Sequence, residues 1–266
     1  MVQSVVMLTD LEGVAGVVSF LEQTYPDARY FDHAKRLLTA EVNAAVDGLI
    51  EGGVEEVLVM DFHGPGAIWF EDLHPRARLF HGRPVPPWSR LAPIIAEHDT
   101  AVIIGQHAMA GTLTGNLHHT QSSRTIDYYR LNEQLIGETA QFALYCGELD
   151  VPVIFLSGDD AACLEAEKLI PGITTAAVKQ GLGRGCAISL SSSESHSLIR
   201  DRIRVAVEKQ IVNPLAPLKW PGPYTLQKRY FFTDDADRAS SLPGSQRIDS
   251  RTVQFHGERI QDVIYV

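Results

Sequence analysis

Acidic residues and histidines occur at four places in the chain where an apolar run gives way to small and polar residues. These places are Asp10-Leu11-Glu12-Gly13, Asp61-Phe62-His63-Gly64, Gly105-Gln106-His107 and Ser157-Gly158-Asp159-Asp160. Asp10 and Glu12 are two residues apart, so on extended backbone both carboxylates point to the same side. Such a pair repels itself unless a cation lies between the carboxylates. Taken alone, the pair is more typical of a turn that Asp10 caps, with Glu12 in solvent.

His63 and His107 are candidate metal ligands, since each is followed by a small residue that leaves room for an ion. A single histidine after a strand is usually structural, but two of them beside a carboxylate pair favour a metal such as Zn²⁺, Mn²⁺ or Co²⁺. Glu138 begins a predicted helix, where it is either a further ligand or an acid favoured by the helix dipole. If all five residues share one site, they exceed the roughly three protein ligands of a catalytic zinc ion, which favours two ions.

A long polar segment, residues 105–124, carries two adjacent histidines, His118 and His119. Loops of this length in compact domains usually have a function. A histidine there could shuttle a proton or stabilise an oxyanion, and spacing alone does not distinguish the two histidines. Asp159 and Asp160 could anchor a substrate amine, although N-capping of the helix that follows them is the favoured interpretation.

These residues need elements that bring them together, and the hydrophobic pattern predicts an α/β fold with a mainly parallel sheet and helices on both faces. Strands are predicted at residues 4–9, 55–61, 76–80, 100–105 and 151–156, and helices at 31–52, 91–98, 137–147, 160–170 and 194–212. In open α/β sheets, ligands bind beyond the carboxyl ends of the strands. The candidate residues are therefore expected at one edge of the sheet.

Prolines cluster within residues 213–223 and mark a change in composition. Beyond them, residues 224–233 and 251–255 are predicted strands, which indicates a smaller C-terminal β-containing subdomain. The predicted division is an α/β core, residues 1–212, followed by a small α+β subdomain, residues 213–266. A single domain also fits the pattern.

Composition argues against several classes of protein. The 266 residues carry a net charge of −10, which disfavours nucleic-acid binding. No stretch has the roughly 20 apolar residues of a membrane helix, and residues 1–6 lack the basic start of a secretory signal, so a cytoplasmic protein without membrane contact is expected. The cysteines, Cys146, Cys163 and Cys186, are expected to be small buried residues rather than a disulfide framework.

Seven stretches then occur in a specific order: LTDLEG (8–13), DFHGPG (61–66), GQHAMAGT (105–112), GNLHHT (115–120), IGE (136–138), VPVIFLSGDD (151–160) and ITTAAVKQ (173–180). Together they resemble the D-aminopeptidase family of bacterial dipeptide operons, which are dinuclear zinc peptidases. The resemblance implies two zinc ions per chain, with ligands at Asp10, Glu12, His63, His107 and Glu138, and His119 as the catalytic histidine. It also implies removal of N-terminal residues, often of D configuration, from short peptides inside a homo-decamer. Leu8 and Phe62 depart from the family pattern, and these departures concern the choice of substrate.

Three functions fit these observations. A metal-dependent aminopeptidase is the first hypothesis. The same dinuclear centre could instead cleave L-peptides, non-peptide amides or phosphoesters, and a phosphoesterase would need Arg124, Lys179 or Arg184 near the metals. A protein that only binds metal or peptide is the third hypothesis, and the histidine-rich loop argues against it because a passive binder needs no proton carrier.

Overall fold

A seven-stranded sheet forms the centre of the fold, in a computed structural model that describes residues 1–266. The strands are β1 (Ser4–Thr9), β2 (Glu56–Asp61), β3 (Ala77–Phe80), β4 (Thr100–Gln106), β5 (Ile126–Leu131), β6 (Gln134–Ile136), β7 (Val153–Asp159), β8 (Thr174–Gly183), β9 (Cys186–Ser189), β10 (Tyr224–Tyr230), β11 (Gln246–Arg247) and β12 (Thr252–Gly257). The α-helices are α1 (Phe31–Glu51), α2 (Trp88–Ala96), α3 (Glu138–Glu148), α4 (Asp160–Leu169), α5 (Ser192–Val212) and α6 (Thr233–Ala239). The central sheet has the order β3-β2-β1-β4-β7-β8-β9, and every neighbouring pair is parallel except β8 with β9.

Different helices cover the two faces of this sheet. In β1, Val5 and Met7 belong to the hydrophobic cluster that contains α1 and α5, whereas Val6 and Leu8 belong to the cluster that contains α2, α3 and α4. Such alternation along one apolar strand is expected when both sides of the sheet are buried. The predicted fold class is therefore confirmed.

Helix α1 follows directly from its sequence. Leu38, Val42, Ala45 and Leu49 recur near a period of 3.6 residues and are fully buried. The helix ends before Gly53, whose φ of +94° lies in the left-handed region that glycine tolerates. This long helix anchors the segment that follows β1 to the body of the fold.

A second, antiparallel sheet has the order β11-β12-β10-β5-β6. Its strands β10 and β12 were predicted, but β5 and β6 were not, and they come from residues 126–136. The sheet thus joins strands from both sides of the predicted boundary at residues 212 and 213. The division into two domains stays a prediction.

The structure confirms the predicted elements of the core but not the predicted burial of all three cysteines. Each strand and helix predicted in the core is present, with ends that shift by a few residues. The prediction for Cys186 was wrong: Cys146 and Cys163 are buried, but Cys186 is exposed, because it begins the edge strand β9. None of the helices combines the length and the apolar character needed to cross a membrane.

Candidate metal centre

The carboxyl ends of three adjacent strands meet at one edge of the central sheet. β1 lies between β2 and β4, and the residues just past these strands include the Asp10 and Glu12 pair, His63 and His107. Two further side chains reach the same place from other elements. Glu138 is the first residue of α3, and His119 lies on the long loop between β4 and β5.

His107 is at the centre of the site. Its Nε2 atom lies 3.1 Å from Oδ2 of Asp10 and 3.4 Å from Oε1 of Glu138. Its ring stacks on the ring of His119, with centroids 3.9 Å apart. Nε2 of His119 lies 3.9 Å from Oε1 of Glu138. Three side chains therefore converge on one buried imidazole.

The potential ligand atoms form two overlapping groups. Within each group, the atoms lie within 4.8 Å of one another: His107, His119 and Glu138 form one group, and Asp10, Glu12 and His107 form the other. His63 adjoins the second group, with its Nε2 atom 3.5 Å from Oε1 of Glu12. Candidate ligand atoms from five residues and His119 therefore lie close together at this edge of the sheet.

Several polar atoms of this site are buried without a hydrogen-bond partner of good geometry: Asp10 Oδ2, Glu12 Oε2, His63 Nδ1 and His107 Nε2. An unpartnered buried polar group costs about 1–3 kcal/mol, so native proteins rarely keep several of them together. Carboxylate oxygens and imidazole nitrogens are ordinary zinc ligands. These residues therefore fit a divalent metal ion.

Local hydrogen bonds orient the two stacked imidazoles. Nδ1 of His107 bonds to the carbonyl oxygen of Ala108 at 2.9 Å, and Nδ1 of His119 bonds to the carbonyl oxygen of Leu117 at 2.9 Å. If Nδ1 carries the proton in each ring, Nε2 is left as the free lone pair that faces the site.

The charges of the site shift its pKa values. Burial acts to raise the pKa of Asp10, but the imidazole of His107, whose Nε2 lies 3.1 Å from Oδ2, outweighs it and holds that pKa below its ordinary value. Burial acts to lower the pKa of His107, but Glu138 and Asp10 raise it well above the usual range. For His119, burial and then the charge of His107 lower the pKa, which favours a neutral ring.

Glycines allow the loop after β1 to touch the end of β4. A Cβ atom at Gly13 would lie 2.0 Å from the carbonyl oxygen of Gln106, and one at Gly105 would lie 2.1 Å from that of Asp10. The two segments are joined by a hydrogen bond of 2.7 Å from the Gly13 N–H to the Gly105 carbonyl oxygen. This close approach places the carboxylate pair beside His107.

A buried lysine also holds the loop that follows β1. Lys179 is 2% exposed, and its ammonium group donates to the carbonyl oxygens of Glu12 and Val17. It also donates to Oδ1 of Asn116 at 2.8 Å, which ties the loop after β1 to the loop that carries His119. Lys179 therefore fixes both loops relative to the sheet.

A cleft of about 420 Å³ opens over the site. One part of its lining is an aromatic wall formed by Phe62, Trp88 and Tyr265, in which the rings of Trp88 and Tyr265 stack with centroids 3.8 Å apart. The tail that carries Tyr265 is fixed on both sides. Gln141 donates to the carbonyl oxygen of Ile264 at 2.8 Å, and Lys228 donates to that of Val266. Residues from almost the whole length of the chain thus surround one cleft.

The sequence matches the model of a peptidase family, M55, that is described as D-aminopeptidase, over residues 4–266. The chain belongs to this D-aminopeptidase family. A curated relative, the D-aminopeptidase of Bacillus subtilis (strain 168), is 32% identical over 257 residues, which cover 95% of this chain and 90% of the relative. A solved structure, the Zn-dependent D-aminopeptidase DppA from Bacillus subtilis, described as a self-compartmentalizing protease, superposes with a TM-score of 0.88 at 30% identity. This match covers 98% of the chain and 94% of DppA. The resemblance that the sequence motifs indicated is confirmed.

In this member of the D-aminopeptidase family, all five residues predicted as ligands lie together at the sheet edge: Asp10, Glu12, His63, His107 and Glu138. The two loop histidines differ in position. His119 lines the cleft, whereas His118 is turned away from it and its Nδ1 accepts a hydrogen bond of 3.1 Å from the Gly111 N–H. Asp159 caps α4 by accepting a hydrogen bond from the Ala162 N–H, as its favoured interpretation predicted.

Sequence reasoning missed several residues of this D-aminopeptidase family site. Arg83 donates to the carbonyl oxygens of His63 and Gly64 and so holds the loop after β2, but its proline-rich surroundings give no signal of this role. Trp88 and Tyr265 are far apart in the sequence, so no local pattern pairs them. Lys179 did carry a signal, since it is an isolated charge next to the apolar run of residues 173–178.

Proposed function

We propose that the chain is a zinc-dependent aminopeptidase that removes N-terminal D-amino acids from short peptides with a centre of two zinc ions. The observation that carries this proposal is the convergence of three carboxylates and two histidines on one buried sheet edge, with four of their polar atoms unpartnered. Zinc and the D-amino-acid substrate are supported by the descriptions of the relatives. The cleft above the site is large enough for a small ligand.

Asp10, Glu12, His63, His107 and Glu138 would hold the ions. Zinc in such a site polarises a scissile carbonyl and lowers the pKa of bound water. Five side chains exceed the roughly three protein ligands of one catalytic zinc ion, which supports two ions, with His107 bound to only one of them because its Nε2 has a single lone pair. Nδ1 of His107 already bonds to a backbone carbonyl, which leaves Nε2 directed at the carboxylates.

His119 would move protons during the reaction. Its Nδ1 is engaged with the Leu117 carbonyl oxygen, and its lowered pKa favours a neutral ring whose Nε2 can accept a proton. Nε2 faces the site near Glu138, so the same atom can return that proton to the leaving amine. Stacking on His107 and an edge contact with the ring of Phe20 fix the plane of the imidazole.

Zinc content and peptide hydrolysis test the proposal together. Elemental analysis of the purified protein should give about two zinc ions per chain, and chelator-sensitive release should be faster from D-Ala-D-Ala than from L-Ala-L-Ala. Two bound ions without release from either peptide would contradict the peptidase and point to other amides or phosphoesters. A chain that binds no metal after incubation with zinc would contradict the whole centre.

Variants separate the roles of the residues. Asp10→Ala and His63→Ala should each lower the zinc content, whereas His98→Ala, which precedes β4 at the opposite end of that strand, should not. His119→Asn should keep the zinc and lower kcat by about 10²- to 10⁴-fold, because a proton carrier is lost. His118→Asn is the matched control and should keep both zinc and kcat. Normal kcat in His119→Asn would contradict the proton role.

The relative's description as self-compartmentalizing supports a homo-oligomer for this chain as well, and the resemblance implies ten copies. Exposed apolar side chains are available for subunit contacts, among them Leu113, Leu135 and Leu164 beside one surface groove. Analytical ultracentrifugation should give about ten times the 29.3 kDa mass of one chain. A monomer at micromolar concentration would contradict the assembly.

A further inference from the structure

Arg124 is the one arginine in the cleft whose side-chain donors are free. Arg83 is the other arginine of the lining. All three of its side-chain nitrogens donate to backbone carbonyl oxygens, which belong to Asp61, His63, Gly64 and Gly82. The guanidinium group of Arg124 pairs with no carboxylate of the chain and donates no hydrogen bond. It lies over the ring of Tyr25, with Cζ 3.8 Å from the centroid. An arginine in this position offers a planar fork of N–H donors to the cleft.

The stacking partner of Arg124 is itself fixed. The hydroxyl group of Tyr25 lies 2.8 Å from Oγ of Ser123, which is the neighbour of Arg124 in the sequence. The guanidinium group is therefore held by packing on a ring that is tied back to its own loop. A cation oriented in this way loses little side-chain entropy when it binds an anion.

A second arginine without an acidic partner lies beside the first. Arg184 lies over the ring of Phe20, with Cζ 4.6 Å from the centroid, and donates to the carbonyl oxygen of Ser123 at 3.4 Å. The rings of Phe20 and Tyr25 stack with centroids 6.4 Å apart. Arg184 lies just outside the cleft, in a neighbouring pocket that shares Tyr25, Ser123 and Arg124 with it, so two guanidinium groups form a rim beside the cleft in a chain whose net charge is −10. The positive charge of this rim is complementary to an anion.

The rim lies a short distance from the candidate metal centre. The Gln121 N–H donates to Oε1 of Glu138 at 2.6 Å, and Arg124 follows three residues later. Three residues span at most about 10 Å of backbone, so the residue that carries this guanidinium group lies close to the metal centre along the chain. Ser122 and Ser123 line the cleft between the two points.

We propose that Arg124, with Arg184 beside it, binds the C-terminal carboxylate of the substrate peptide. This inference rests on the proposed function, because the metal centre must hold the scissile bond at the other end of the cleft. A guanidinium group and a carboxylate form two parallel hydrogen bonds, which fix the peptide in direction as well as in position. The substrate class is then short peptides with a free C-terminal carboxylate.

The test compares D-Ala-D-Ala with its C-terminal amide, D-Ala-D-Ala-NH₂, on the zinc-loaded protein. Wild type should prefer the free acid by about 10- to 100-fold in kcat/KM, the range of a hydrogen-bonded charged pair. Arg124→Gln should bring the ratio of the two kcat/KM values close to one, mainly through a higher KM for the free acid. Arg124→Lys should restore part of the preference, since the charge remains but the fork is lost.

Arg29 supplies the matched control, because it is also exposed and lies over a tyrosine ring, Tyr30, with Cζ 5.2 Å from the centroid, but does not line the cleft. Arg29→Gln should keep the wild-type preference. A wild type that cleaves both peptides equally well would overturn the carboxylate site and leave the aminopeptidase intact. Equal losses on both peptides in Arg124→Gln would also overturn it, since a structural role predicts that result. Release from neither peptide by wild type would overturn the proposed function itself.

Discussion

Glu41 should make the stability of the protein depend on pH. Its side chain extends from α1 beneath the loop that follows the carboxylate pair, and it is 1% exposed. Oε1 accepts a hydrogen bond of 3.0 Å from the Ala15 N–H, but Oε2 is buried without a partner. Burial raises the pKa of Glu41 from 4.5 to about 7, although the Ala15 hydrogen bond and the charge of Lys179 act to lower it.

The sign and size of the effect follow from these two pKa values. The folded protein keeps the proton up to a pH of about 7, whereas the unfolded chain loses it near 4.5. Between these values the folded state binds more protons, so its stability falls as the pH rises. At about 1.4 kcal/mol per pKa unit, the free energy of unfolding should fall by about 2.5 kcal/mol between pH 5 and pH 8 through this group alone.

Urea denaturation of wild type and Glu41→Gln at pH 5, 6, 7 and 8 measures this contribution. The neutral glutamine keeps an oxygen for Ala15 but has no proton to lose, so the variant should gain about 2.5 kcal/mol relative to wild type across the range. Glu97→Gln is the control, since Glu97 is exposed and makes no side-chain hydrogen bond. A constant difference between wild type and Glu41→Gln from pH 5 to pH 8 would refute the reasoning.

Three further substitutions test other features of the structure. Gly13→Ala should lower the free energy of unfolding by more than about 4 kcal/mol in chemical denaturation, because its Cβ would lie 2.0 Å from a backbone oxygen. Gly185→Ala is the control and should leave stability unchanged, because no atom lies within 4 Å of the added Cβ. Lys179→Met should cost about 3–5 kcal/mol in the same assay, since it leaves buried oxygens without a donor, and a loss below 1 kcal/mol would contradict the role given to this lysine. Tyr265→Leu should remove about 1 kcal/mol of stacking on Trp88 and raise KM for peptides, and an unchanged KM would show that the aromatic wall does not contact substrate.

The positions of the candidate ligands could be predicted because their information is local. Apolar runs identify the strands, and a parallel sheet brings the carboxyl ends of neighbouring strands to one edge. Asp10, His63 and His107 each follow such a run by one or two residues, so the pattern alone is enough to group them. Glu138 begins a helix instead, where a capping role fits equally well, so its place among the ligands rested mostly on the family resemblance.

The rest of the cleft could not be predicted, since it depends on contacts between distant segments. Nothing near Trp88 indicates that Tyr265 stacks on it. Strand β8 was missed because Lys179 interrupts its apolar pattern, and the carbonyl oxygens that accept from this lysine come from another loop. Strands β5 and β6 form one side of a sheet whose other strands begin about 90 residues later in the chain. Many of their side chains are partly exposed, so their sequence lacks the apolar run that indicates a strand.

The anchoring of Tyr265 has a consequence for the timing of activity during synthesis. Tyr265 is added to the chain 255 residues after Asp10. At about 5–20 residues per second, the interval between them is on the order of tens of seconds. Throughout that interval the nascent chain has its carboxylate pair but lacks part of the wall that would enclose a peptide. The order of synthesis therefore keeps the cleft incomplete until Gln141 has bonded to Ile264 and Lys228 to Val266.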